Sequence, residues 1–281
     1  ATGGQGGAPI GGQGGGGGAP PAGETNCIDG LDDDGDSDID CLDLDCQFQA
    51  VCGDLVINEI DYNNPGANDS QEFLEIYNDG LDPIELDGLS VYRINGSTGA
   101  PYNGASGVAL SGTLGVGEYL VLASSQVVVD PAATVVLFSD DLDELQNGNP
   151  DGVAIYDTNH QVLIDSFAYG GALTNAMIDG MTFDLTEGTA ATAEDSGTQA
   201  ISLIRFPNGA DTNNADADWS TTSIITPGAE NQQAFAPETN CSDAIDNNGN
   251  GDIDCDDVDC DGLACDAFGS TCVTLVCTCP G

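Results

Sequence analysis

Twelve oxygen-bearing residues recur at one spacing in two places along this chain. Counting from Asp32, positions 1, 3, 5, 7, 9 and 12 are Asp32, Asp34, Asp36, Asp38, Asp40 and Asp43. Counting from Asp246, the same positions are Asp246, Asn248, Asn250, Asp252, Asp254 and Asp257. An isoleucine, Ile39 or Ile253, stands at position 8 of each. Such spacing wraps a short loop around a hard cation, since Ca²⁺ gathers about six to eight oxygens from a flexible loop. Calcium is the expected cofactor, with at least two ions. The loops lie inside longer copies, residues 24–46 and 238–260, which are identical at 14 of 23 positions and share a Cys-x13-Cys-x4-Cys frame. Random placement of aspartates would not keep one register in both.

The copies differ in ways that bear on affinity. The first three ligands are Asp/Asp/Asp in one and Asp/Asn/Asn in the other. Affinity rises with ligand charge, so the second loop is expected to bind more weakly. Asp rather than Glu stands at position 12 in both, and Ser37 replaces the turn glycine at position 6 of the first. Neither loop is flanked by amphipathic helices. The loops resemble EF-hand loops without their paired helices, and the short Asp-rich repeats of dockerins and thrombospondin type 3 arrays. A second candidate cation cluster is Asp211, Asn213, Asp216 and Asp218.

Eleven cysteines crowd the two ends, with none between Cys52 and Cys241. Their acidic neighbours favour hard cations over zinc, so the cysteines read as disulfides of an oxidising compartment. Cys27, Cys41, Cys46 and Cys52 can form two bridges, and Cys241, Cys255, Cys260 and Cys265 two more. Cys272 then pairs with Cys277 or Cys279, leaving one thiol either buried or bridged to another chain.

The formal charge is −46, from 48 Asp and Glu against two Arg and no Lys. Nucleic acid and anionic membranes are excluded as partners, because phosphate recognition needs Lys and Arg. Lysine-based covalent catalysis and isopeptide crosslinks are excluded too. No signal peptide or transmembrane run is visible, and Ala1 reads as a mature N-terminus left by cleavage. The expected location is secreted, extracellular or at the cell surface.

Five segments are expected to position these groups. Residues 1–23 are a Gly-rich tract with one large apolar residue, Ile10, read as a flexible tether or an extended segment docking on a neighbouring subunit. Residues 24–52 and 237–266 are the Cys-rich calcium modules, and 267–281 form a β-prone tail. Between them, residues 53–236 alternate apolar runs with Gly, Asn, Asp and Pro turns: DLVINEI, EFLEIYN, LSVYRI, EYLVLA, TVVLF, GVAIYD, QVLIDSFAY and ISLIRF. This pattern predicts an all-β sandwich. Residues 157–160 predict a hairpin turn, and 140–146 could form one helical turn.

Several of these runs carry a family resemblance. Ile57-Asn58-Glu59-Ile60, Glu72-Phe73-Leu74-Glu75-Ile76-Tyr77-Asn78 and Ile84-Glu85-Leu86-Asp87-Gly88 resemble the opening of a bacterial secreted lamin-tail domain. ISLIRFPNGADTNNADADW and Thr226-Pro227-Gly228-Ala229-Glu230-Asn231 resemble its close. The resemblance spans roughly residues 53–233 and implies an immunoglobulin-like β-sandwich, with 170–202 as an insertion or surface loop. In secreted proteins such a domain often accompanies other modules, so it implies fold more than function.

The catalytic inventory is thin. His160, the only histidine, sits in a predicted turn, and no Gly-x-Ser-x-Gly motif appears. Glu72 and Glu75, three apart, point to opposite faces of a strand and are read as structural. Arg205 and Trp219 are read as ion pairing and packing. The expected function is a non-enzymatic structural protein, a calcium- and disulfide-stabilised subunit of an extracellular filament or surface layer. Its partners would be copies of itself, joined head to tail. The rival readings are a monomeric adhesion or binding module and, remotely, a calcium-dependent hydrolase.

Overall fold

In LVINEIDY, apolar residues fall at Leu55 and Ile57 and then at Ile60 and Tyr62, so the two-residue alternation skips a beat at Asn58 and Glu59. One strand can keep all four on one face only with an inserted residue. The computed structural model has that bulge, a register shift between Ile57 and Glu59 where this strand pairs with the next. The structure describes residues 31, 33, 35, 55–66, 69–102, 107–139, 142–148, 150–234, 238, 240–245, 252–266, 270–274 and 276–278.

Two sheets form the central domain. The first has six strands in the order β15 (Trp219–Thr222), β14 (Ser202–Arg205), β1 (Leu55–Asp61), β2 (Phe73–Asn78), β8 (Tyr119–Ala123), β9 (Thr134–Leu137). Its pairings are antiparallel except β8 with β9. The second runs β11 (Val162–Tyr169), β10 (Asp151–Asp157), β4 (Leu89–Asn95), β5 (Ala100–Pro101), with β6 (Val108–Ala109) also on β4. Short pairs join β3 (Ile84–Glu85) to β7 (Thr113–Leu114), β12 (Ala176–Ile178) to β13 (Met181–Phe183), and β16 (Thr271–Val273) to β17 (Val276–Thr278). Among the described residues the only α-helix is the single turn Ala215–Asp218. All eight apolar runs read from the sequence contain strands.

The inner faces meet in one core. Leu55, Ile57, Ile60, Leu74, Ile76, Leu120 and Leu122 come from the first sheet, and Val91, Val153, Ile155 and Phe167 from the second. Trp219 stacks on Phe167 at 3.8 Å between ring centroids, and Tyr62 on Tyr169 at 4.2 Å. Two antiparallel-rich sheets packed face to face make the central domain an all-β, immunoglobulin-like sandwich.

Two expectations give way here. Of the segment after Gly170, residues 173–185 are no surface loop. Leu173, Ala176, Ile178 and Leu185 cover the outer face of the second sheet, against Tyr92, Ile94, Ala154, Tyr156 and Ala168. Alternate residues of β4 and β10 therefore feed two different cores, and β10 is buried along its whole length. The predicted helical turn at 140–146 is likewise absent among its described residues. The amides of Glu144 and Leu145 donate to the Glu72 carboxylate at 2.6 and 3.2 Å, a stronger offer than a backbone carbonyl one turn back. The hairpin at 157–160 forms as predicted, with Asp157 Oδ1 accepting from the amides of Asn159 and His160 at 2.8 and 3.0 Å.

Candidate functional site

The β1 bulge aims Asn58 into the protein, where it organises a polar latch. Asn58 Nδ2 donates to Glu75 Oε1 at 2.7 Å and to Asn208 Oδ1 at 3.0 Å, and its Oδ1 accepts from the Gly209 amide at 2.9 Å. Asn231 Nδ2 donates to the carbonyls of Asn58 and Arg205 at 2.9 and 3.0 Å. Gly228 donates its amide to Glu75 Oε2 at 2.6 Å. Only glycine suits that turn, since φ is +90° and a Cβ would stand 2.7 Å from that of Ala133. Glu59 accepts from Ser202 Oγ and from the amide and hydroxyl of Thr226. The opening and closing motifs are thus two halves of one hydrogen-bonded joint.

Burial raises the Glu59 carboxyl to about 7 despite those donors, and raises Glu75 well above the usual range with the Glu59 charge adding to it. Their oxygens are engaged by the protein, which suits holding the chain rather than proton transfer. Glu72 and Glu75 do point to different partners. Glu72 reaches the loop after β9, and burial raises it to about 8.

The second polar centre is Arg205, which is fully buried. Its Nε donates to the Ile57 carbonyl at 2.8 Å. Its other nitrogens meet Asp165, Glu187 and Asp211 at 3.2 Å and Asp218 at 3.5 Å, and the guanidinium lies 5.1 Å from the Trp219 ring centroid. One cation faces four carboxylates. Burial raises Asp165, and burial followed by the Asp165 charge raises Glu187 to about 9. Two members of the candidate cation cluster at 211–218, Asp211 and Asp218, lie against this arginine. Asp218 is buried and also accepts from the Thr212 amide and hydroxyl, whereas Asp211 meets Arg205 from an exposed position and Asp216 accepts from the Thr192 amide.

A third centre pairs two acids. Asp195 Oδ2 accepts from the amides of Tyr62 and Asn63 at 2.8 and 2.9 Å, and burial together with the Asp195 charge raises Asp61 to about 9. Sequence reasoning missed Asp165, Glu187 and Asp195. Only Asp165 left a trace, as the one charged residue inside QVLIDSFAY.

In the C-terminal module the disulfides are Cys241–Cys260, Cys255–Cys272 and Cys265–Cys277. This corrects the expected pairing of Cys272 with Cys277 or Cys279. Cys272 and Cys277 face each other across β16 and β17, yet each bonds back to the acidic segment, so the tail is sewn into the module. Of the predicted calcium ligands there, Asp254 accepts from the amides of Asp243 and Ala244 at 3.0 and 2.9 Å. Asp257 is buried and accepts from the Asp259 amide at 2.7 Å, while Asp252 is exposed. Asp246, Asn248, Asn250 and Cys279 lie outside the described residues, as do Asp32, Asp34, Asp36, Asp38, Asp40, Asp43, Cys27, Cys41, Cys46, Cys52 and residues 1–23.

His160 Nδ1 bonds Asp157 Oδ2 at 2.7 Å within the hairpin turn. Among the described residues no helix is long and apolar enough to cross a membrane.

No curated protein matches the chain. Among solved structures, a DUF4876 family protein from Bacteroides thetaiotaomicron is similar at 14% identity and a TM-score of 0.35, over 64% of this chain and 72% of that one. Residues 49–171 match the Lamin Tail Domain family, although the sheet those residues begin is completed only by β14, β15 and the latch beyond them.

Proposed function

We propose that this chain is a secreted, non-catalytic structural subunit that assembles head to tail into an extracellular filament or surface layer. Calcium bound in the two acidic loops and the disulfides beside them would stiffen its ends. The observation that carries this reading is the open edge of the six-stranded sheet. Among the described residues β9 pairs only with β8, and its Val135 and Leu137 are 44% and 61% exposed. Natural sheets usually blunt such an edge with charge, proline or a covering segment. An apolar, unpaired edge accepts an added strand through its backbone groups. The occupant of this edge is residues 1–23 of the next copy, whose glycines allow close backbone approach. A contact between two different surfaces of identical chains propagates into an open filament.

The reading is tested by electron microscopy and light scattering of the full chain in calcium. The expected result is filaments from the wild type, and folded monomers both from a chain lacking residues 1–23 and from Val135→Lys. Filaments from the shortened chain would overturn the strand-docking reading. A wild type that stays monomeric with and without calcium would leave a binding module instead.

A further inference from the structure

We propose that Asp69, Glu72 and Asp143 form a binding site for a divalent hard cation of the calcium class, which pins the loop between β1 and β2 to the loop between β9 and β10. One oxygen from each of the three carboxylates lies within 4.8 Å of the others. A second observation separates this cluster from an ordinary acidic patch. Glu72 is fully buried, its Oε2 accepts from the amides of Glu144 and Leu145, and its Oε1 is buried with no hydrogen-bond partner. A buried carboxylate oxygen without a donor is costly, and a cation shared with Asp69 and Asp143 would satisfy it. Arg93 does not fill that role, because it is paired with Glu144, which also accepts from Ser139 Oγ at 3.2 Å.

The donor set selects the ion. Three carboxylates with no histidine or thiol favour a hard cation over zinc or copper. Calcium accepts irregular coordination by about six to eight oxygens, so backbone carbonyls and water can complete the shell, whereas magnesium demands a regular octahedron. Asp69 is already oriented, since its Oδ2 accepts from Asn147 Nδ2 at 2.6 Å, and the Asp143 amide donates to the Asp69 carbonyl at 3.3 Å. Those contacts hold the two loops together before an ion arrives. The site belongs to the sandwich and does not depend on the Asp-rich loops at the chain ends.

Hydrogen exchange of the full chain with calcium, with magnesium and with chelator tests this by location. At free calcium about ten times the dissociation constant, protection of residues 62–72 and 142–148 should rise about tenfold. Glu72→Gln keeps an oxygen for the two amides but removes the charge, and should abolish that rise while the C-terminal module responds as before. Asp143→Asn, at an exposed position, should do the same if the first variant folds poorly. Equilibrium dialysis should count one fewer calcium per chain in either variant. Unchanged exchange in these two loops of the wild type, or a calcium response retained by both variants, would overturn the site. A response confined to the cysteine module would overturn it while leaving the acidic-loop reading intact.

Discussion

In the sandwich, Val153, Ile155 and Phe167 are sealed from water, whereas in the C-terminal module Ile245, Ile253, Val258, Leu263, Val273 and Val276 are all exposed. The buried apolar cluster of the module is made of cysteines: Cys241, Cys255, Cys260 and Cys272, with Cys265 packed against them. The sandwich has the reverse material. No cysteine occurs between Cys52 and Cys241, and its order rests on two packed sheets and buried polar joints. The difference follows from size and charge. A segment of some thirty residues with an aspartate at every second or third place cannot bury enough apolar surface to offset its chain entropy. Crosslinks that restrict the unfolded chain take over that role. The sandwich is large enough to spend part of its interior on carboxylates, provided that donors or an arginine meet them.

The largest expected effect comes from reduction. A strong reductant with alkylation should erase exchange protection throughout residues 240–278, each lost bridge removing about 2–5 kcal/mol. The melting of the sandwich should hardly change. A module still protected after complete alkylation would break the contrast.

Within the sandwich, Arg205→Met should cost about 3–5 kcal/mol in denaturant melts, because it leaves buried Asp165 and Asp218 without their cation. Asn58→Ala should cost less, about 1–3 kcal/mol, by stripping Glu75 Oε1 and the Gly209 amide of a shared partner. A loss under half a kcal/mol there would mean that water replaces the latch.

Proton linkage gives a further contrast. In chelator, Glu59, Glu72, Asp61 and Glu187 titrate at about 7, 8, 9 and 9 in the folded chain, against about 4 when unfolded. The folded state therefore binds more protons across this range. Stability should be greatest near pH 4 to 5 and fall as pH rises toward 9. A calorimetric series in which the melting temperature rises over that interval would contradict the burial argument. The smallest effect sharpens the comparison from the other side. Val258 is 72% exposed, so Val258→Ser should shift stability by no more than about 0.5 kcal/mol.

Much of this was legible before any fold. The apolar runs mark eight strands. The opening and closing motifs looked like separate signatures, and only the fold shows Glu75, Asn58, Thr226, Gly228 and Asn231 meeting in one joint. Nothing in the sequence separates Asp211 and Asp218, which serve Arg205, from the calcium-spaced aspartates elsewhere. Nor could spacing choose Cys255 as the partner of Cys272, because several pairings satisfy the same intervals.

What the sequence by itself determined is whatever depends on local order along the chain: strand positions through alternation, turns through Gly, Asn and Asp, the repeated acidic spacing, and a cysteine-rich, lysine-free character through composition. What only the tertiary structure decided is which distant groups share a buried volume. Residues 173–185 become the lid of a second core, four acids gather around one arginine, and Glu72, whose Oε1 has no donor, clusters with Asp69 and Asp143. The physical reason is that periodicity is a property of neighbours in sequence. Desolvation and charge pairing are set by neighbours in space, and those exist only once the sheets have closed on each other.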